Sequence, residues 1–150
     1  MERFGCDDVA IQCQLKGAIY QALGLYFEDI PDSAIEHCLA KVDALNEISA
    51  ALSYIHANIS HRITVDTLSK LCSVSKDYFI KRFRTAVGMT PVHYIHRRRV
   101  SIAAEYLLYT DHSIERIAEL AGFGDRFYFS RIFLREIGST PAAYRRGEKG

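Results

Sequence analysis

Three side chains that could contact DNA bases, and one that could contact a phosphate, share one face of a predicted helix in the middle of the sequence. Asp77, Ile80, Lys81 and Arg84 are spaced i, i+3, i+4 and i+7, which places them side by side on a helix. Lysine can donate to the O6/N7 edge of guanine, aspartate can accept from cytosine N4, and isoleucine can contact a thymine methyl. Lys76 and Arg84 are better suited to phosphates. Two plainer alternatives stay open, in which Asp77 is a helix-dipole partner and Lys81 is a solvated charge.

A second set of such side chains follows fifty residues later. Arg131 can bond guanine through both arms of its guanidinium, so it is predicted to be the stronger base reader. Phe127 either contacts a thymine methyl or packs onto the domain. The equivalent positions in the two sets are Lys76 and Arg126, Asp77 and Phe127, Ile80 and Ser130, and Lys81 and Arg131.

Both sets lie within an internal repeat. Tyr78-Phe79, Val87-Gly88 and Thr90-Pro91 correspond to Tyr128-Phe129, Ile137-Gly138 and Thr140-Pro141 fifty positions later, whereas upstream of them the offset is forty-nine. The second copy therefore carries one extra residue near Gly122-Phe123-Gly124. A short helix, a tight turn and a longer basic helix, present twice, indicate two DNA-reading helix-turn-helix units on one scaffold.

Capping residues predict where the helices of the repeat begin and end. Thr64 is expected to cap a helix to about Cys72, and Ser75 a longer one that ends at Gly88, which suits a left-handed residue. Thr90-Pro91 then opens the next helix, and Thr140-Pro141 repeats the device. The helix from about Pro91 to Tyr109 separates the two units as a rigid spacer. Its predicted buried side is Ile95, Val100, Ala103, Leu107 and Leu108.

Charge is segregated along the 150 residues, although the total is only +1. Residues 1–60 hold three basic and nine acidic groups, a net of −6, whereas residues 61–150 hold sixteen and nine, a net of +7. A basic C-terminal part fits phosphate contact. The acidic N-terminal part is predicted to have another role, and chance unevenness is the alternative.

The N-terminal third is predicted to be helical. One stripe of apolar residues runs through Ile11, Leu15, Ala18, Ala22 and Leu25. A second stripe covers residues 34–59 as either one long helix or two, and comprises Ile35, Cys38, Val42, Leu45, Leu52, Ile55 and Ile59. These helices are expected to support a weak homodimer.

Catalytic, metal-binding and membrane classes find little support. His93 and His96 have a spacing that could bind a metal, but no third ligand follows, so they are predicted to be polar surface residues and neither metal nor cofactor is expected. The four cysteines form no CxxC pair and are expected to be small buried hydrophobes. No apolar run approaches the roughly 18 residues of a membrane span, and the N-terminus lacks a signal-peptide pattern. A cytoplasmic protein that is not an enzyme is expected.

Residues from about 50 to 146 resemble the DNA-binding domain of the AraC/XylS family of bacterial transcription regulators. The family's C-terminal signature reads here as Ile117-Ala118, Gly122-Phe123, Tyr128-Phe129-Ser130-Arg131, Phe133, Gly138, Thr140-Pro141 and Tyr144-Arg145. The linker-helix pattern reads as Tyr94-Ile95, Arg99-Val100, Ala103 and Leu107-Leu108. The resemblance implies an all-α fold in which a long linker helix joins two helix-turn-helix units. Residues 1–47 are then a helical extension, similar to the tail of a sensor domain, and residues 48–147 the DNA-binding domain.

The resemblance also implies roles and partners. Double-stranded DNA is the expected partner, with an additional contact to RNA polymerase, and the site is expected to be bipartite and asymmetric. Leu134 stands where the family commonly has a basic residue, so Arg135 is expected to compensate. Arg97 and Arg98 are predicted phosphate contacts, whereas Arg99 is predicted to be structural. The alternative is an interaction protein that antagonises a related regulator or contacts RNA polymerase without specific DNA binding. Some DNA-repair methyltransferases carry a similar DNA-binding domain, but the nucleophilic-cysteine motifs of those enzymes are missing from this sequence.

Overall fold

The computed structural model describes residues 31–147 and, before them, residues 17, 18 and 21. The predicted stripe from Ile11 to Leu25 lies outside these residues except for Ala18. Residues 31–147 form seven helices and no strand, which confirms the all-α prediction. They are α1 (Asp32–Ala57), α2 (Val65–Leu71), α3 (Lys76–Val87), α4 (Pro91–Tyr109), α5 (Ile114–Leu120), α6 (Arg126–Ile137) and α7 (Pro141–Arg145). The chain divides between Ala40 and Lys41 into two units, and the features below belong to the second unit unless stated otherwise.

A single helix, α1, covers the stretch for which the sequence allowed one helix or two. Its buried residues are Ala44, Ile48, Ala51 and Ile55, whereas Val42 and Leu45 of the predicted stripe are exposed, as is Ile35 in the first unit. The predicted stripe was therefore wrong over its first half. Large apolar residues define a stripe in the sequence, but two alanines let α1 approach its neighbours closely, and this contact decides which face is buried.

The two copies of the repeat have the same order of helices and the same kinds of helix ends. We call residues 64–88 the first repeat and residues 113–138 the second. Each begins at an N-cap hydroxyl, Thr64 or Ser113, and each longer helix ends at a glycine in the left-handed region, Gly88 or Gly138. The predicted caps at Thr64, Ser75, Thr90 and Thr140 are confirmed.

The turn inside each repeat closes with the same pair of backbone bonds. In the first, Val74 donates to the Ser69 carbonyl and Ser73 to the Lys70 carbonyl; in the second, Phe123 donates to Ala118 and Gly122 to Glu119. These paired bonds are the Schellman arrangement, which requires a left-handed residue. Ser73 (φ +56°) and Gly122 (φ +85°) supply it. The turn spans residues 72–75 in the first repeat and 121–125 in the second, which confirms the predicted extra residue.

Helix α4 is part of both hydrophobic cores. One core joins α1, α2 and α3 and includes Ile95 of α4. The other joins α5 and α6 and includes Val100, Ala103 and Leu107 of α4. Leu108, predicted to be buried, is 54% exposed because its position falls outside this stripe. Cys38, at the start of α1, is exposed rather than buried.

Four phenylalanines, two in each repeat, are the largest side chains at the centres of these cores. Phe79 and Phe83 on α3, and Phe129 and Phe133 on α6, are fully buried. Burial of each such side chain contributes roughly 1.5–3 kcal/mol to folding. Since each pair occupies one face of its helix, the opposite face of α3 and of α6 is turned to solvent.

Substitutions at the left-handed residues of the two turns should have different effects on stability. Ser73→Gly removes the strain of a side chain at positive φ, so we expect the free energy of unfolding to stay equal or rise by up to about 1 kcal/mol. In Gly122→Ala, the new Cβ would lie 2.6 Å from the Ile59 carbonyl oxygen, in addition to the strain at φ +85°. We expect this variant to lose at least about 2 kcal/mol. Urea unfolding of both variants measures the difference, and equal small changes would contradict this account of the turn.

Candidate nucleic-acid interface

The predicted base-reading residues of the first repeat lie together on the outer face of α3. Asp77, Lys81 and Arg84 are exposed and Ile80 is half-buried, while the opposite face of the helix lies in the core. All four line one open groove of about 500 Å³, together with Thr85 and Thr90. The structure therefore brings this set together as the helical spacing predicts, and whether it binds DNA stays a prediction.

Lys76, a predicted phosphate contact, has a partner within the protein. Its ammonium lies 2.9 Å from Asp66 on α2, which also pairs with Lys70 at 2.8 Å. Hydrogen bonds from Lys70 and then Lys76 lower the pKa of the Asp66 carboxyl to about 2. Because all three side chains are exposed to solvent, such pairs are weak, so a phosphate can compete with Asp66 for Lys76.

Helix α3 is tied to α1 through one carboxylate. Arg82 donates from Nε and Nη2 to the two oxygens of Glu47, at 2.7 and 2.8 Å, and the Tyr78 hydroxyl donates to Glu47 at 3.2 Å. The two-pronged geometry is the stronger kind of ion pair. Glu47 thereby fixes the rotation of α3 about its axis, and with it the direction in which Lys81 and Arg84 project.

The second repeat presents a different outer face. Phe127 is 73% exposed, and the ring contact found for it is with the Arg126 guanidinium, 5.2 Å from the ring centre. Of the two alternatives for Phe127, the structure therefore removes burial against the domain. Arg131 is also exposed, Ser130 is half-buried, and Leu134 is 46% exposed. This face is more apolar than that of α3.

Arg135, expected to compensate for Leu134, is engaged elsewhere. Its Nε and Nη2 donate to Glu136 Oε1 at 3.0 and 2.8 Å. Glu136, whose side chain is only 12% exposed, also binds His93 of α4 at 3.1 Å. Burial raises the pKa of Glu136, but the hydrogen bonds from Arg135 and His93 outweigh it and lower that pKa. Arg135 would have to leave a charged partner to reach a phosphate, and its DNA contact stays a prediction.

His93 and His96, predicted to be solvated surface residues, both bond to α6. His93 meets Glu136, and His96 Nε2 lies 3.2 Å from the Tyr128 hydroxyl. Burial is the largest cause of the lowered pKa of His96, followed by the charges of Arg135 and Arg99. The two histidines therefore attach the second repeat to α4. The i, i+3 spacing of the two histidines already predicts that they share one face of α4. The sequence does not show that this face packs against α6.

The loop after α1 joins the first core to the second repeat. Arg99 on α4 donates to the carbonyls of Ile59 at 2.9 Å and His61 at 2.6 Å, which agrees with its predicted structural role. Ser60 donates to the Leu120 carbonyl at 2.9 Å. Gly122 lies against the same loop, and a Cβ there would meet the Ile59 oxygen. These contacts, which sequence reasoning missed apart from Arg99, fix the two repeats relative to each other. Arg97 and Arg98 are exposed on α4.

Comparison with known proteins gives the family. A helix-turn-helix domain family matches residues 68–147. The regulatory protein SoxS of Salmonella typhimurium is 35% identical over 98 residues, which cover 65% of this chain and 92% of SoxS. The bifunctional transcriptional activator and DNA repair enzyme AdaA of Bacillus subtilis is 33% identical over 96 residues, 64% of this chain and 46% of AdaA.

A solved structure with a similar fold is that of a DNA complex. The DNA-binding domain of the global transcriptional factor AdpA, in complex with a target DNA, matches with a TM-score of 0.64 and 28% identity. The match covers 67% of this chain and 90% of that domain. The fold and the paired repeats define a helix-turn-helix protein. The chain belongs to the AraC-type family of DNA-binding transcription regulators.

Three further findings concern the length of the relatives, membrane spans and metal sites. The chain spans less than half of the length of several curated relatives, 46% in the case of AdaA and 30% for the MmsAB operon regulatory protein of Pseudomonas aeruginosa. Over the residues that the structure describes, no helix is both long and apolar enough to cross a membrane. No group of three His, Cys, Asp or Glu side chains in the same part of the chain could hold a metal ion.

The lowered pKa of His96 predicts a loss of stability in acid. The folded chain binds this proton less readily than the unfolded chain, for which the ordinary value is 6.5. The contribution of neutral His96 is therefore present above that value and is lost as the pH falls below it. We expect His96→Gln to lose less stability than the unsubstituted chain between about pH 7.5 and about pH 5 in urea unfolding. Equal losses would show that His96 does not contribute to the acid sensitivity.

Proposed function

We propose that the domain reads a bipartite, asymmetric DNA site by placing α3 and α6 in adjacent major grooves on one face of the duplex. The observation that carries this proposal is that α4 lies in both cores and Arg99 bonds the loop at residues 59–61, so the two outer faces have a fixed separation. Helix α4 has 19 residues and is about 28 Å long. That length is comparable with one turn of DNA, roughly 34 Å.

The two half-sites differ because the two helices offer different chemistry. Asp77, Ile80 and Lys81 are proposed to meet cytosine N4, a thymine methyl and guanine respectively. On α6, Arg131 is proposed to bond guanine through both arms of its guanidinium. The exposed ring of Phe127 suits a thymine methyl, with Ser130 and Arg126 beside it. One chain would therefore bind an asymmetric site in one orientation.

Affinity is proposed to come mainly from the first repeat. Arg84 lines the groove of α3 and Lys76 is the first residue of that helix. Arg97 and Arg98 on α4 are proposed as further phosphate contacts. The second repeat has Leu134 in place of a basic side chain, and Arg135 is bonded to Glu136. We therefore propose that the second half-site contributes more to sequence specificity than to binding affinity.

Roles of the whole protein are proposals too. We propose that it regulates transcription in the bacterial cytoplasm without an enzymatic activity, with a contact to RNA polymerase and a weak homodimer through the N-terminal helices. The division into an extension of residues 1–47 and a DNA-binding domain of residues 48–147 likewise remains a proposal, and α1 runs through that boundary.

One observation favours a second function. Phe127 and Leu134 together give the outer face of α6 an apolar surface, as an interaction protein would need. A mobility-shift assay on genomic DNA at two salt concentrations separates the two functions. Specific bands support the first, whereas binding without preference, or none, supports the second.

Replacing Arg131 and replacing Arg84 should affect binding in different ways. Arg131→Ala is expected to lose about 1–3 kcal/mol of discrimination between the specific site and a random duplex, because it removes a base contact. Arg84→Ala should weaken both duplexes alike and reduce the salt slope of log K by about one unit, because it removes a phosphate contact. Titrations at several salt concentrations measure both quantities. Equal losses on the two duplexes for Arg131→Ala would reject its base-reading assignment.

The fixed separation of the helices predicts sensitivity to the spacing of the half-sites. An insertion of about five base pairs rotates one half-site by half a turn, so affinity should fall nearly to that of a single half-site. An insertion of about ten base pairs returns the second half-site to the same face of the DNA but increases the distance between the half-sites. A rigid α4 therefore predicts a loss of affinity for this insertion as well. Measured affinities for both insertions and for each isolated half-site distinguish the cases. Recovery of affinity with the ten-base-pair insertion would indicate that the two repeats are flexibly linked. Unchanged affinity with both insertions would indicate that only one helix reads DNA.

A further inference from the structure

Three aromatic rings, one each from α4, the turn at residues 121–125 and α6, contact one another. His96 stacks on Phe123 with ring centres 6.3 Å apart and an interplanar angle of 24°, and it meets Tyr128 at 5.8 Å and 72°. Phe123 and Tyr128 lie 6.3 Å apart. Phe123, in the turn that carries the extra residue, is only 3% exposed. With the bond between His96 and the Tyr128 hydroxyl, these contacts hold the Tyr128 ring from two sides.

Arg131 lies over the ring that this cluster holds. Its guanidinium carbon is 5.7 Å from the centre of the Tyr128 ring, one helical turn earlier on α6. A cation over the face of an aromatic ring is attracted by it, which limits the directions that a flexible guanidinium explores. A guanidinium that is already oriented loses less entropy when it bonds a base.

We propose that His96 and Tyr128 are positioning residues for Arg131, so that α4 sets the base discrimination of the second half-site. The proposal rests on the proposed function of Arg131 and extends it to two residues that do not touch DNA. His96 fixes the Tyr128 ring, the ring fixes the guanidinium, and the guanidinium then meets guanine in one geometry. Removal of any member of this series should relax discrimination at the base that Arg131 reads.

The first repeat provides a matched control. Tyr78 is the repeat equivalent of Tyr128, but its hydroxyl donates to Glu47, which holds Arg82 rather than Lys81. Among the described residues, no ring platform is found for Lys81. Tyr78→Phe therefore removes the equivalent hydroxyl without acting on Arg131, and it should leave discrimination at the Arg131 base unchanged.

The experiment is a double-mutant cycle on the full chain, with duplexes from a selection on random DNA. The base read by Arg131 is the position where Arg131→Ala loses discrimination. We expect Tyr128→Phe and His96→Ala each to lower discrimination at that position, by at most about two- to fivefold, the factor for complete loss of a cation–ring contact, because both variants keep a ring but release it from its partner. Each should have no further effect in the Arg131→Ala background. Thermal melting of each variant shows whether a loss of discrimination is instead caused by unfolding. If His96→Ala does not fold, Tyr128→Phe still tests the proposal, because it removes only a hydroxyl group.

A second readout needs no DNA. The Tyr128 ring current should displace the Arg131 Nε–H resonance in the NMR spectrum of the free protein, and Tyr128→Phe and His96→Ala should shift that resonance whereas Tyr78→Phe should not. An unshifted resonance, or losses that add to that of Arg131→Ala, would overturn the positioning proposal while leaving Arg131 as a base reader. A shifted resonance with no base discrimination by Arg131 would instead refute the proposed function. In that case the positioning role in DNA reading falls with it.

Discussion

The arrangement of this protein depends on the burial of one helix in two cores. Helix α4 contributes Ile95 to the core of the first repeat and Val100, Ala103 and Leu107 to that of the second. Because close-packed interiors resist small displacements, each core fixes α4 on its own side. A helix held at both ends transmits a fixed distance and rotation to α3 and α6. The loop at residues 59–61 adds polar bonds to the same constraint through Arg99 and Ser60.

The two repeats have the same order of helices but are attached to their neighbours by different chemistry. A carboxylate, Glu47, holds α3 through Arg82 and Tyr78, whereas two imidazoles, His93 and His96, hold α6. The carboxylate titrates far below neutral pH, since the hydrogen bond from Arg82 lowers the pKa of Glu47 further. Burial, followed by the charges of Arg135 and Arg99, lowers the pKa of His96. The contact of this imidazole with the second repeat is therefore expected to lose stability as the pH falls below the ordinary pKa of histidine.

The surface charge available to DNA is smaller than the composition suggests. The net charge of residues 61–150 is +7, yet several of the basic groups there already have acidic or carbonyl partners. Lys76 pairs with Asp66, Arg135 with Glu136 and Arg82 with Glu47. Exposed pairs such as that of Lys76 exchange partners at little cost, whereas Arg82 and Arg99 are committed to the fold. Of the side chains that we propose as phosphate contacts, Lys76 would therefore have to exchange a carboxylate partner, whereas Arg84, Arg97 and Arg98 are exposed.

The sequence by itself determined the helices of the two repeats and the spacer helix, their caps and the family, whereas it left open whether α1 is one helix or two. These features rest on local interactions, because a hydroxyl cap, a proline at the first helical position and a left-handed glycine act within a few residues. The outer face of α3 was equally readable, since a helix fixes which side chains share a face.

Only the tertiary structure decided which apolar stripe of α1 is buried and that Leu108 is exposed, because both depend on how closely another helix approaches. It also decided the partners of two histidines on α4. His93 meets Glu136 and His96 meets Tyr128, which lie on α6, 43 and 32 positions away in the sequence. No local pattern encodes that choice, since it is made by the packing of α6 on α4.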